Sequence, residues 1–226
     1  MLQAHGFAPE RVHLVYNGLD PQDFQPTRDR AAVRAELALP PNAPLLLNAG
    51  QYIPWKRQDL LLEALALLPD RTVHLALAGE ENRGAATYQQ SLHARAQALG
   101  LTDRVHFLGF RADLPDLMAA CDAYVHAADQ EPFGRVILEA MTLARPIVAP
   151  NSAGPAELLQ DGTTALLAEP TSAQSLTQAI TRLLADPGEA AALGQSARQE
   201  AITNFSAQAM TQGVLDVYKT LLHPPT

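Results

Sequence analysis

The chain has 226 residues, enough for one large α/β domain or two small ones with a substantial core. Its formal net charge of -8, from 16 Lys and Arg against 24 Asp and Glu, argues against nucleic acid as the main partner. At 47% hydrophobic and 18% charged residues it is not of the disordered kind.

The single Cys121 excludes an intrachain disulfide framework and a Cys-rich zinc site and suits a reducing compartment. No basic stretch leads into an apolar run near Met1, and no apolar run approaches about 18 residues, so the expectation is a cytoplasmic protein without a signal peptide or membrane span.

Residues 1–44 are less regular than the remainder of the chain. Pro21, Pro26, Pro40, Pro41 and Pro44 predict a turn-rich lead-in that packs on the domain beginning at Leu45. From Leu45 onward short apolar runs alternate with segments of helical period, the pattern of βα units around a parallel sheet. The strands are expected at Leu45 to Ala49, Val73 to Ala78, Val105 to Leu108, Ala123 to Ala127, Pro146 to Ala149 and Ala165 to Leu167. Helices are expected at Gln58 to Leu68, Ala85 to Leu99, Leu114 to Cys121 and Arg135 to Ala144. In the first of these Leu61, Leu62, Leu65 and Leu68 form a core stripe.

After Ala168 only helices are expected. Thr171 and Ser172 are plausible N-caps, and a break at Asp186-Pro187-Gly188 precedes two further helices that reach about Leu222. The fold class is therefore α/β, a Rossmann-like parallel sheet flanked by helices, with residues 45–226 as the main domain.

In such sheets ligands bind outside the carboxyl ends of the strands. The loop after the first strand reads Gly50-Gln51-Tyr52-Ile53-Pro54-Trp55-Lys56-Arg57. Two cations at a helix start, beside a glycine that permits close backbone approach, suit a phosphate or diphosphate; an exposed Lys-Arg pair on a helix end is the equal alternative. The loop is neither a Walker loop nor a GxGxxG fingerprint.

The stretch after the fourth strand is Asp129-Gln130-Glu131-Pro132-Phe133-Gly134-Arg135-Val136-Ile137-Leu138-Glu139. Pro132 and Gly134 at a helix start leave unpaired backbone N–H groups, again an anion site. Glu131 and Glu139 fall near one end of one element, where carboxylates accept hydrogen bonds from sugar hydroxyls. Glu139, among Leu138, Ala140 and Met141, needs a partner.

In Asn151 to Glu157 small residues allow either close ligand approach or a plain βα turn, with Ser152 as a helix cap. His74, His106 and His126 each lie within a strand without a second ligand at metal spacing and read as structural. Asp129-x-Glu131 is a weak acidic pair, so no metal site is assigned.

These residues together resemble the C-terminal, donor-binding half of GT-B glycosyltransferases, specifically glycosyltransferase family 4. The carrying motif is Glu131-Pro-Phe-Gly-Arg-Val-Ile-Leu-Glu139-Ala-Met, the E-x7-E signature of the retaining members. It is supported by Asn17-Gly18-Leu19-Asp20 with Phe24-Gln25-Pro26, by Trp55-Lys56-Arg57-Gln58-Asp59, by Val105 to Arg111, and by Asp161 to Leu167.

The resemblance implies that Lys56 neutralises the diphosphate of a nucleotide-sugar donor, with Arg57 as a weaker candidate, and that Gly50 and Gln51 border it. It implies that Glu139 holds the ribose hydroxyls and Glu131 a hydroxyl of the transferred hexose. Phe133, Gly134 and Arg135 would offer backbone N–H groups, Phe110 and Arg111 would border the base, and neither cofactor nor metal is required. Lys56 and Glu131 are the residues assigned to catalysis.

Gln51 stands where many members carry an arginine. The family's N-terminal acceptor domain, with its Gly-rich loop and its catalytic-site histidine, has no counterpart here. The expected function is thus the donor-binding domain of a retaining glycosyltransferase, inactive without that domain or a partner chain that supplies it. The alternatives are a non-catalytic nucleotide- or partner-binding remnant, which Gln51 favours slightly, and a GT-B epimerase, which the Phe-Gly-Arg-Val-Ile-Leu context matches less well.

Overall fold

The computed structural model describes residues 12–81 and 87–222. Six strands form one sheet: β1 (Leu45–Ala49), β2 (His74–Ala78), β3 (Val105–Gly109), β4 (Ala123–Val125), β5 (Ile147–Pro150) and β6 (Leu166–Ala168), in the order β3-β2-β1-β4-β5-β6. Every pairing is parallel, with Leu46 opposite Leu75 on one side and Ala123 on the other. β1, β2, β4 and β5 are buried along their whole length, which explains why they read as unbroken apolar runs.

Strand ends differ from expectation by one or two residues. β4 stops at Val125 because its ladder with β5 closes at Val125 and Val148, although the His126 N–H still donates to the Val148 carbonyl at 2.8 Å.

The helices cover both faces. They are α1 (Arg30–Glu36), α2 (Gln58–Leu67), α3 (Thr87–Ala98), α4 (Leu114–Ala120), α5 (Arg135–Thr142), α6 (Ala153–Leu158), α7 (Ala173–Ala185), α8 (Pro187–Asn204) and α9 (Ala207–Leu222). Ala85 and Ala86, where the second expected helix was to begin, lie outside the described residues. Successive strand residues serve opposite cores, as the two-residue period requires: Leu46 packs with Leu62, Leu65, Leu92 and Ile180, whereas Leu45 and Leu47 pack with Val33, Leu117, Leu138 and Ala197.

Residues 1–44 are not irregular throughout, as expected from their prolines. Helix α1 lies among them, capped by the Asp29 carboxylate, which accepts the Ala31 N–H at 3.1 Å. It buries Val33, packs on α4, and sends Arg30 and Arg34 to Asp122 at 2.6 and 3.4 Å. Its seven residues are too few to raise a helical period above the surrounding prolines.

Of the two N-cap candidates at the other end, Ser172 caps α7 and Thr171 does not, and the expected break at Asp186 is itself a cap. The Ser172 hydroxyl accepts the Ser175 N–H at 3.1 Å. The Asp186 carboxylate accepts from Gly188 and Glu189, each at 2.9 Å, turning α7 into α8.

Two close approaches hold the frame. The Leu19 N–H donates to the Phe205 carbonyl at 2.9 Å and the Ala207 N–H to the Leu19 carbonyl at 3.2 Å, crossing the lead-in over the α8–α9 junction. Gly18 is required there, since a Cβ would fall 2.2 Å from the Ser206 oxygen. Gly79, just past β2, passes so close to the turn after β1 that a Cβ would meet the Gly50 oxygen at 1.9 Å. Gly79→Ala is therefore expected to lower stability by about 1–3 kcal/mol, measured by urea denaturation, because backbone rather than a side chain must yield.

His74 and His106 are structural, as expected: Nδ1 of one lies 2.9 Å from Nε2 of the other across β2 and β3. Burial lowers both imidazoles below their ordinary value, so below about pH 6.5 the unfolded chain takes up protons first. Stability is expected to fall between about pH 7.5 and 5.5, and the fall to shrink in the His74→Gln/His106→Gln double variant when both are unfolded in urea.

Candidate functional site

In this strand order the connections from β1 run toward β2 and β3, and those from β4 run toward β5 and β6. The loops leaving β1 and β4 therefore diverge and open a crevice at the carboxyl ends of two neighbouring strands. These loops hold Gly50, Gln51, Lys56, Arg57, Glu131, Phe133 and Gly134 of the residues singled out in the sequence. The Asp129 N–H of the second loop donates to the Trp55 carbonyl of the first at 2.8 Å. A hollow of about 400 Å³ beside them is lined by Trp55, Asp129, Gln130 and Pro132.

After β1 the chain forms a 3₁₀ turn, Pro54–Lys56, and Arg57 then takes the left-handed conformation at φ 54° before α2 begins. That reversal separates the two adjacent cations. The Lys56 ammonium turns inward, 4.4 Å from the centre of the Trp55 ring, and pairs with the Glu131 carboxylate. The Arg57 guanidinium turns back on its own helix, with Nε 3.2 Å from Asp59 Oδ1, and the same carboxylate oxygen accepts the Tyr88 hydroxyl at 3.0 Å. Lys56 is thus the cation of the crevice, and Arg57 is tethered away from Glu131. The Gln51 carbonyl accepts the Gln58 amide at 3.1 Å, which closes the loop onto α2. A Cβ on Gly50 would meet only the Lys56 stem, at 3.9 Å.

After β4 the turn Asp129–Gly134 brings Glu131 beneath Lys56, with the Glu131 side chain only 10% exposed. Burial opposes its ionisation, but the neighbouring His126 imidazole and Lys56 ammonium outweigh burial and hold the carboxyl at about 2. His126 was expected to be merely structural. It is buried, and its Nε2 lies 3.4 Å from Glu131 Oε2. A histidine one residue past a strand carries no sequence signal of its neighbours, because the contact depends on how the turn folds back.

Gly134, at φ 93°, opens α5, and no side chain caps that helix. Glu139 lies on its buried side, 8% exposed, and Arg135 Nε approaches it at 3.4 Å. Burial raises the Glu139 carboxyl above the ordinary carboxylate range against the pull of Arg135. Glu131 and Glu139 converge on Tyr124 of β4. Burial pushes its hydroxyl up, and both carboxylates push it further.

The Phe133 ring packs away from this convergence, stacked on Tyr16 at 6.2 Å and edge-on to Phe205 at 6.4 Å, and anchors the turn. The small residues after β5 serve the same turn: the Gly154 N–H donates to the Glu131 carbonyl at 2.8 Å, and a Cβ on Gly154 would fall 2.5 Å from the Phe133 oxygen. Ser152 occupies the N-cap position of α6 but, contrary to expectation, caps nothing with its side chain.

Phe110, after β3, is 71% exposed. Arg111 beside it holds both Asp113 oxygens, at 2.7 and 2.6 Å, and reaches Glu36 of α1 at 2.8 Å, so its guanidinium clamps α1 to the end of β3.

A second cavity, about 1080 Å³, lies at the opposite, amino-terminal ends of β1, β4 and β5. Its arginines Arg30, Arg34 and Arg145 donate to the carbonyls of Ala119, Ala120 and Cys121, which they clasp at the end of α4. It is therefore part of the frame.

A six-stranded parallel sheet in this doubly wound order, flanked by helices, is the Rossmann-like architecture of GT-B glycosyltransferases. The profile of the family described as glycosyl transferases group 1 matches residues 29–200, and the chain belongs to that family.

It is 32% identical over 187 residues to the lipopolysaccharide core biosynthesis glycosyltransferase LpsE of Rhizobium meliloti, an alignment covering 83% of this chain and 53% of that one. It is 34% identical over 171 residues to a D-inositol 3-phosphate glycosyltransferase of a Mycobacterium species, covering 75% of this chain and 38% of that one. Among solved structures, HepE of Anabaena in complex with UDP and glucose superposes with a TM-score of 0.90 at 34% identity, covering 97% of this chain and 59% of that one. A HepE complex with UDP-glucose superposes with a TM-score of 0.89. The chain thus spans between 38% and 53% of the length of these two curated relatives. Among the described residues no helix is long and apolar enough to cross a membrane.

The depressed Glu131 carboxyl contributes stability above its ordinary value of 4.5, and that contribution is lost as pH falls toward about 2. Lys56→Met removes the main counter-charge. The variant is expected to lose about 1–3 kcal/mol at pH 7 and less at pH 4, where its Glu131, no longer held down by the ammonium, takes up a proton that the unaltered chain's Glu131 does not, as read by urea denaturation at both pH values.

Proposed function

We propose that this chain is the donor-binding domain of a retaining glycosyltransferase of family 4, which takes a hexose from a UDP-sugar. The observation that carries the reading is the Lys56–Glu131 pair at the β1–β4 switch point, with Glu139 buried one helix turn beyond the α5 start. The HepE complexes with UDP and UDP-glucose support the choice of base and sugar class.

In this reading Glu139 accepts hydrogen bonds from the ribose hydroxyls. Its burial makes such bonds strong and leaves them little competition from water. Glu131 accepts from a hydroxyl of the hexose. The diphosphate lies between Lys56 and the backbone N–H groups of Phe133, Gly134 and Arg135 at the start of α5, where the helix dipole adds positive charge.

When the bond from the anomeric carbon to the diphosphate breaks, its electron pair passes to the diphosphate. Lys56 and α5 then stabilise the growing charge without a divalent metal. Phe110, the exposed aromatic after β3, borders the base. Arg111 supports that border from behind by fixing α1 and Asp113, and Arg57 shapes the loop through Asp59. The acceptor hydroxyl is presented by a second domain or a partner chain, so this chain alone binds donor and transfers little.

The test is calorimetric titration of UDP, GDP and ADP into the chain with EDTA present, repeated with Glu139→Ala. Saturable binding of UDP, weakened about tenfold or more by the substitution, is the expected result. Absence of binding at millimolar UDP, or equal binding by the variant, would overturn it.

A further inference from the structure

Three buried side-chain polar atoms find no hydrogen-bond partner among the described residues: Gln58 Oε1, Ser152 Oγ and His126 Nε2. An orphaned buried polar atom costs free energy and persists where another state of the protein uses it. Of the three, the structure places His126 against a carboxylate of the candidate site: Nε2 is 3.4 Å from Glu131 Oε2, without the alignment of a hydrogen bond.

On its other side, His126 Nδ1 lies 3.4 Å from the Tyr124 hydroxyl, which also reaches the Ala49 carbonyl at 3.4 Å. Burial keeps the imidazole neutral by lowering its pKa, so it carries one ring proton. A bare Nε2 lone pair facing the ionised Glu131 would repel it. The proton is therefore assigned to Nε2, and Nδ1 shares the single Tyr124 hydroxyl proton with the Ala49 carbonyl, each at 3.4 Å.

The Nε2–H thus stands 3.4 Å from Glu131 Oε2 but out of line with it. In the present structure Oε2 is occupied by the Lys56 ammonium. A diphosphate drawn to Lys56 would compete for that ammonium, and Oε2 would then be free to turn into line with the Nε2 proton.

We propose that His126 is a positioning residue for Glu131: it holds Oε2 once Lys56 has turned to the diphosphate, leaving Oε1 directed at the hexose. This rests on the donor-site reading above. At 2% exposure, His126 acts through Glu131 rather than by touching the sugar. Its loss should be felt by a ligand that carries the hexose and not by the nucleotide alone.

The experiment compares dissociation constants for UDP and UDP-glucose in the unaltered chain and in His126→Leu, His126→Asn and His126→Gln, each checked for an unaltered cooperative unfolding transition. Leucine offers no donor, and the short asparagine amide does not reach Oε2. Both are expected to weaken UDP-glucose about tenfold or more while leaving UDP within about twofold. Glutamine, whose amide reaches farther, is expected to restore UDP-glucose to within about threefold of the unaltered chain.

UDP-glucose bound by the leucine and asparagine variants as by the unaltered chain overturns the proposal, as does an equal loss for both ligands or a glutamine variant no better than leucine. If leucine prevents folding, the asparagine and glutamine pair decides alone. An unaltered chain that binds neither ligand overturns the donor-site reading itself and this inference with it.

Discussion

The ion pair between Lys56 and Glu131 joins the two loops that the sheet topology forces apart. β1 and β4 are neighbours whose connections leave in opposite directions, so nothing in the sheet itself prevents the crevice between them from spreading. The pair spans that gap with two nearly buried charges, and the backbone bond from Asp129 to Trp55 sets its register. A buried pair of this kind contributes little net stability, since desolvation consumes most of the attraction. Its value lies in geometry: it fixes where a cation and a carboxylate stand before any ligand arrives.

The rest of the molecule is arranged to keep that geometry. The Glu131 turn rests on Gly154, which has no Cβ to collide with the Phe133 carbonyl, and on the Phe133 ring lodged between Tyr16 and Phe205. The Lys56 loop rests on Gly79, which lets the backbone at Gly50 pass close by, and on Gln58, which ties Gln51 to α2. At the far end of the sheet three arginines clasp the carbonyls that end α4, giving β4 a fixed start.

The sheet was legible in the sequence because burial on both faces leaves each strand as an apolar run bounded by breakers. Leu45–Ala49 and His74–Ala78 are examples. The cap at Ser172 and the break at Asp186 were legible because their bonds are local, spanning two or three residues. Helix α1 was obscured because only Val33 of its seven residues is buried, which leaves no periodic stripe.

At the site, the residue types at Lys56, Glu131 and Glu139 were visible, and the resemblance ranked Lys56 above Arg57, but the physical cause of that contrast was not. It arises from a left-handed residue that reverses the chain between two adjacent cations. The partners of His126 and Arg111 were equally invisible. The histidine stands against the Glu131 carboxylate, and the arginine is held by Asp113 and Glu36. Both depend on contacts between residues distant in sequence or folded back by a turn, which no local pattern records.

The crossing of the lead-in over the α8–α9 junction has a mechanical consequence. Leu19 is bonded to both Phe205 and Ala207, and the rings of Tyr16, Phe133 and Phe205 meet directly beside that crossing. The turn that carries Glu131 is therefore braced by three stiff rings at the point where the lead-in, α8 and the start of α9 meet. The seat of Glu131 is thus shared between the sheet beneath it and a junction of segments almost two hundred residues apart in the chain.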